Sequence, residues 1–447
     1  MNKWLKFLIP FVLSIVTFFI VSIYLNQQQS LFVSCLVLLV ALWTSDGLPM
    51  GIVSLLPVGL YPCLGILDLK LTTSYYSKPI IFLFLGGFML AIAVEKTNLH
   101  RALILRMFKL FPMSPRGIIF ALAFTSAIFS SLLSNTTTAL LLMPMALFLT
   151  EIIELKKRFV LSIAYGASIG GIMTPVGTPP NLILLGFLED NSMQAIPFIK
   201  WIMMCAPLAF LMLIAMCFIL SFGANKYKLE KNKDQIKDFD KDQKKLIYVL
   251  IALMVLLFIN SPIKPYYMGL GLNEKIILMS FGILMFCPGF DLLTWDDSKK
   301  IPYEIIALFG AGFAIAGGMM STGLADKIVE SLSSFHGLSP LHLTLLVATL
   351  VTFSTEITSN MALTTMMIPV IYSFCLKLGL DPYLYLMITT ICASYAFMLP
   401  IATAPNAIAM SSKVLHIKDM MKFGFIMNLI GILLVTIISQ LIWVNFL

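Results

Sequence analysis

The stretch LLSNTTTALLLMP, Leu132 to Pro144, sets five small polar residues, Ser134 to Thr138, in the middle of a strongly apolar run. Polar groups at bilayer depth are costly unless they are held by partners. Either this run lies outside lipid, or its polar residues have something to bind. The surrounding run, Ile118 to Thr150, carries Arg116 before it and Lys156-Lys157-Arg158 after it. As one straight helix of ~33 residues it would be roughly 50 Å long, against a hydrocarbon core of ~30 Å. With both ends on the cytoplasmic side the run has to turn back at its polar middle. That predicts a re-entrant helical hairpin over 118–150.

Composition places the hairpin in a membrane. The chain has 447 residues, of which 59% are hydrophobic and 12% charged, about half the charged share of a soluble domain. Apolar segments of spanning length recur from end to end, so the fold class is all-α and polytopic, with about 11 transmembrane helices plus two hairpins. The first segment, Trp4 to Leu25, follows Lys3 and lacks a small-x-small cleavage pattern. It reads as a retained N-terminal transmembrane helix (1–25) and not as a signal peptide. The net charge of +8 sits in short loops where orientation signals belong, which speaks against a nucleic-acid partner. The seven cysteines show no CxxC spacing and read as packing thiols.

Tracing spans against basic loops puts the N-terminus in the cytoplasm and the C-terminus outside, with the bacterial inner membrane as the expected location. A first unit occupies 26–224, with the hairpin 118–150 and a helix over 160–187 broken by TPVGTPPN, Thr174 to Asn181. Three prolines and a glycine in eight residues do not continue a helix. A hydrophilic, lysine-rich stretch at 225–245 reads as a cytoplasmic linker. The second unit, 246–447, repeats the plan with a hairpin over 341–374, interrupted by TEITSNMALTT (Thr355 to Thr365). A helix over 383–411 follows, interrupted by LPIATAPN (Leu399 to Asn406).

The two units share one register. Ser134 and Asn135 fall on Ser359 and Asn360, Pro144 on Pro369, Pro175 on Pro400, and Thr178, Pro180 and Asn181 on Thr403, Pro405 and Asn406, all 225 positions apart. Phe88 on an inward-going helix matches Phe313 on an outward-going one, so the copies have opposite orientation. Inverted repeats with paired discontinuous helices point to a secondary transporter whose site lies where the breaks meet.

At the breaks, half-helix N-termini offer N–H donors that suit an anion, while unwound carbonyls and hydroxyls suit a hard cation. No Lys, Arg or His lies in any of the four breaks. A bound anion would therefore draw its positive field from amides and a co-bound cation, which is a physical route to coupling. Glu356 is the one acid in a break. It could carry a proton or ligate a cation, but a carboxylate capping orphan amides is the favoured reading. GASIG, Gly166 to Gly170, matches a hydrolase pattern without its strand-turn-helix context; it reads as small-xxx-small helix packing. No catalytic constellation remains, so the chain reads as a non-enzyme.

Ser134-Asn135-Thr136 and Ser359-Asn360, with the TPPN motif and the segment Phe84 to Leu103, resemble the signatures of the divalent anion/sodium symporter family. The resemblance implies an elevator mechanism, in which a transport domain moves past a scaffold domain of a homodimer. It implies two sites for sodium, the coupling ion, with no organic cofactor. Site one would use Ser130, Ser134, Asn135 and the Gly177 carbonyl; site two would use Thr355, Thr358, Asn360 and the Ala402 carbonyl. The substrate, a small divalent anion, would lie among Ser134, Asn135, Thr136, Thr178, Ser359, Asn360, Met361, Thr403 and Ala404. C4-dicarboxylates such as succinate and malate come first, then citrate or sulfate. Met361 stands where the second motif has threonine and Ala404 where it has proline. Both departures fall on the substrate side. Exchange without sodium and an anion channel are the alternative readings; basic residues at the sodium positions would favour exchange, and none is present.

Overall fold

The computed structural model describes residues 3–45, 47–227, 238–262, 267–331 and 339–444. The middle of the expected linker, 228–237, lies outside these. Before it come α1 (Lys3–Val21), α2 (Gln27–Ser45), α3 (Met50–Cys63), α4 (Leu69–Ser74), α5 (Pro79–Lys96) and α6 (Leu99–Leu110). They are followed by α7 (Pro115–Ser130), α8 (Asn135–Phe148), α9 (Ile153–Gly171), α10 (Pro179–Asp190) and α11 (Phe198–Ser221). The second half holds α12 (Lys241–Asn260), α13 (Glu274–Leu284), α14 (Tyr303–Ser321), α15 (Leu324–Ser331) and α16 (Pro340–Thr355). It closes with α17 (Asn360–Leu378), α18 (Pro382–Cys392), α19 (Ala404–Ser411) and α20 (Ile417–Ile438). Six described helical segments are at least 18 residues long and apolar enough to cross a membrane, and six more apolar helices have 10–17 residues.

The 225-residue register reappears in the helix starts: α6, α7, α8 and α10 begin that far before α15, α16, α17 and α19. Local chemistry repeats with it. Ser114 and Ser339 cap α7 and α16, each accepting a hydrogen bond from the N–H three residues on, with a proline at the first helical position. A missing N–H is harmless there, and the fixed φ suits a helix start. The short amphipathic helices α6 and α15 occupy matching places that apolar spans alone do not reveal.

Several boundaries differ from the sequence reading. The first hairpin turns at residues 131–134, and Asn135 to Thr138 already form the first turn of α8. Pro179, Pro180 and Asn181 start α10 instead of lying in its break, because proline is tolerated in a first turn. The second break opens early, at residue 393, for a reason given below. The end of the expected linker, from Lys241, is helical, fixed by a capping box between Asp240 and Gln243. α1 stops at Val21, short of residue 25.

Packing joins the repeats crosswise: α8 lies on α9 and on α19 of the other repeat, and α17 lies on α18 and on α10. The GASIG pattern is a helix crossing. A Cβ added at Gly166 or Gly170 would come within 2.8 and 2.2 Å of the Ala123 and Ala127 carbonyl oxygens on α7. Only small residues admit backbones this close. One large apolar core runs through α5, α7 to α13 and α16 to α20, and a smaller one joins α2, α3 and α15 to a face of α14. Outside them, large side chains such as Phe19 and Phe222 are 66% and 84% exposed. Such surfaces are stable in lipid and would be aggregation-prone in water.

Candidate functional site

The first hairpin tip meets the break of its own repeat through an asparagine, the second through a threonine. Asn135, at the first position of α8, reaches into a nest of oxygens. One terminal atom of its amide lies 2.5 Å from Ser130 Oγ and 3.3 Å from the carbonyl oxygens of Ala167 and Gly177. Three expected members of site one, Ser130, Asn135 and Gly177, therefore come together, and the Ala167 carbonyl joins them. The approach needs glycine at 171, where any Cβ would stand 2.6 Å from Asn135 Oδ1. Ser134 is the N-cap of α8. Its Oγ accepts from the Thr137 N–H and shares a hydrogen bond with Thr137 Oγ1. With Gly177 and Pro179 it lines an apolar cleft that reaches Phe84, Phe88 and Phe309.

In the second repeat the Thr355 hydroxyl lies 2.7 Å from both Asn360 Oδ1 and the Ala393 carbonyl. Thr355 and Asn360 are thus brought together as expected. Thr358, in the turn between α16 and α17, instead turns its hydroxyl onto the Ser354 carbonyl of α16. Ala402 is buried, and its N–H closes a turn on the Leu399 carbonyl. Of the expected substrate-side residues, Thr136, Ser359 and Ala404 are exposed, whereas Asn135, Asn360, Met361 and Thr403 are partly buried. Thr178 is 2% exposed. Thr178 and Thr403 are the extended N-cap residues of α10 and α19, the half-helices that resume after each break.

A matched pair of amides pins the breaks. Asn181 Nδ2 donates to the Gly171 and Thr174 carbonyls, and Asn406 Nδ2 donates to the equivalent Ala396 and Leu399 carbonyls. Both side chains are fully buried. These bonds satisfy carbonyls that the interrupted helices leave open.

Glu356 breaks the symmetry. Its carboxylate accepts from three successive backbone N–H groups, those of Phe397, Met398 and Leu399, at 2.8, 2.9 and 3.0 Å. It also accepts from Asn428 Nδ2 on α20 at 2.7 Å. One acceptor-only group holding four donors is the favoured amide-capping reading, and it keeps residues 397–399 out of the helical ladder. The equivalent residue, Ser131, offers a carbonyl to the Thr174 hydroxyl instead. Asn428 could not have been found from sequence, since a single amide in an apolar span has no local signature. Ala167 and Gly171 were hidden for a related reason: one contributes only backbone, the other an absence of side chain.

A helical membrane fold with paired interrupted helices and oxygen-rich tips defines a transport protein. Its architecture is shared with the YdaH transporter of Alcanivorax borkumensis (TM-score 0.60, 14% identity, 94% of this chain and 98% of that one). MtrF of Neisseria gonorrhoeae is similar as well (TM-score 0.60, 12% identity, covering 94% and 96%). Residues 36–375 match the family model described as citrate transporter. The chain is 30% identical to the sodium-dependent dicarboxylate transporter SdcS of Staphylococcus saprophyticus, over 94% of this chain and 88% of the relative. It is also 30% identical to SdcS of Staphylococcus aureus strain NCTC 8325, over 89% and 82%. The chain belongs to this citrate and dicarboxylate transporter family, the divalent anion/sodium symporters.

Proposed function

We propose that the protein is a sodium-coupled symporter of small divalent anions, with C4-dicarboxylates such as succinate and malate first and citrate or sulfate behind them. The observation that carries this reading is the oxygen nest of Ser130, Ala167 and Gly177 around the Asn135 amide. It offers neutral oxygens to a hard cation beside helix N-termini that suit an anion. The names of the relatives, sodium-dependent dicarboxylate transporters, support the same pairing. Site one comprises Ser130, Ser134, Asn135 and Gly177; site two comprises Thr355, Thr358, Asn360 and Ala402. The anion occupies the space bounded by Ser134, Asn135, Thr136, Thr178, Ser359, Asn360, Met361, Thr403 and Ala404. The hairpins are re-entrant, the repeats are inverted, and a homodimeric scaffold lets the transport domain move as an elevator. In proteoliposomes, labelled succinate should accumulate only under an inward sodium gradient. Uptake indifferent to sodium would exclude symport, and dependence on internal substrate would indicate exchange.

A further inference from the structure

We propose that the pocket where α11 ends against the start of α7 holds an anionic glycerophospholipid, with Arg116 and Lys226 taking its phosphate and a neighbouring wall of phenylalanines taking an acyl chain. The inference rests on the chain lying in a membrane and is independent of the symport reading.

α11 is long and apolar enough to span, so its end at Ser221 marks a bilayer boundary. Beyond it the chain reverses at Gly223, whose φ of +73° suits glycine. A short turn over Ala224–Lys226 then lies against α7. There Asn225 Oδ1 accepts from the Arg116 backbone N–H at 3.4 Å. The result is an open pocket of about 480 Å³ lined by Arg116, Phe218, Ser221, Phe222, Asn225 and Lys226.

Its two cations are not consumed by the fold. Arg158 donates to the Leu220 and Phe222 carbonyls and so closes the open end of α11. Arg116 has its guanidinium carbon 4.7 Å from the centre of the Phe218 ring and 5.7 Å from that of Phe120. Among the described residues its side-chain N–H groups have no acceptor, and neither Arg116 nor Lys226 has an acidic partner. Both are exposed. The repeat does not require a cation here either. Ser114-Pro115-Arg116 answers Ser339-Pro340-Leu341 at the shared register, so the same capped helix start is built with an exposed leucine.

The apolar wall decides between a lipid and a free anion. Phe120 and Phe218 meet edge to face with centroids 5.9 Å apart, and Phe124 meets Phe210 further along the same two helices. Phe210, Phe218 and Phe222 are exposed, and their spacings of eight and four residues put them on one face. A guanidinium fork and an ammonium suit phosphate oxygens, and the phenyl wall suits a hydrocarbon chain. A free phosphate would meet the charges and leave the wall uncovered.

The test is thermal unfolding of delipidated full-length protein in neutral detergent, titrated with phosphatidylglycerol, phosphatidylcholine or sodium phosphate. Phosphatidylglycerol should stabilise at concentrations at least tenfold below those of phosphatidylcholine, and sodium phosphate should not stabilise. Arg116→Gln and Lys226→Gln should each raise the phosphatidylglycerol midpoint about fivefold, the worth of one basic residue facing anionic lipid, and leave the phosphatidylcholine response unchanged. Equal midpoints for the two lipids would overturn the headgroup site. Stabilisation by sodium phosphate matching that by phosphatidylglycerol would overturn the lipid and leave a soluble anion. A midpoint unchanged in either variant would overturn the pairing of the two cations. Should Arg116→Gln lose its lipid-free transition, Arg116→Lys takes its place, keeping the charge without the fork, with a midpoint still above that of wild type.

Discussion

A methyl group added at Gly171 would stand 2.6 Å from Asn135 Oδ1 and 3.2 Å from both Asn135 Nδ2 and Thr178 Cβ. The amide is the softest of these neighbours, so it would be the one displaced from its nest. Gly171→Ala should raise the sodium concentration for half-maximal stabilisation roughly tenfold, as loss of outer-shell support does at metal sites, with the melting temperature in potassium little changed. In the proposed anion site, Met361 bears on selectivity instead. It is partly buried against the large core, and it places a thioether where a hydroxyl would donate to an anion. Met361→Thr should shift the order of succinate, malate and citrate uptake while leaving the sodium requirement intact, measured by competition against labelled succinate. At this scale the family resemblance pointed to Ser130, Asn135, Thr355 and Asn360, and the structure brings Ser130 to Asn135 and Thr355 to Asn360. It could not reveal the Ala167 carbonyl, because a backbone oxygen is recruited by helix position and not by residue type.

The hairpins and broken helices are legible as elements because small polar residues and prolines interrupt runs otherwise apolar enough to span. Their exact ends are less so. Proline reads as a breaker, yet at Pro179 and Pro180 it begins a helix, and the signal that decides is the extended Thr178 before it. The second break is set from a distance by Glu356. Replacing it with glutamine puts an NH2 in place of one carboxylate oxygen, at least cost Oε2, where it faces the Leu399 N–H and leaves donors unpaired in a buried place. Glu356→Gln should destabilise the protein by about 1–3 kcal/mol, seen in thermal unfolding without ligands. The Ser131→Ala change at the equivalent position should cost much less, since Ser131 contributes its backbone carbonyl to the break.

For the whole molecule, the shared register reaches from α6 to α19, and crossed packing makes each hairpin lean on the other copy. The proposed inverted orientation makes a direct prediction about sides. Glu151 follows the first hairpin and its side chain is 92% exposed; the equivalent Leu376 is 56% exposed. In a background lacking reactive native cysteines, Glu151→Cys should react with a membrane-impermeant maleimide only from the cytoplasmic side, and Leu376→Cys only from outside. Labelling of both from one side would rule out inversion.

The asparagine latches differ from the Glu356 clasp in how much chain they need. Asn181 closes its break on carbonyls only ten and seven residues back, so the first repeat can seal its own interrupted helix while the second is still being synthesised. Glu356 must wait for Phe397 to Leu399 and finally for Asn428, 72 residues later. Asn406 closes the second break over the same ten and seven residues, so both copies have a local latch. The copy made last adds a charge that finds its fourth donor only when the final long helix has been built.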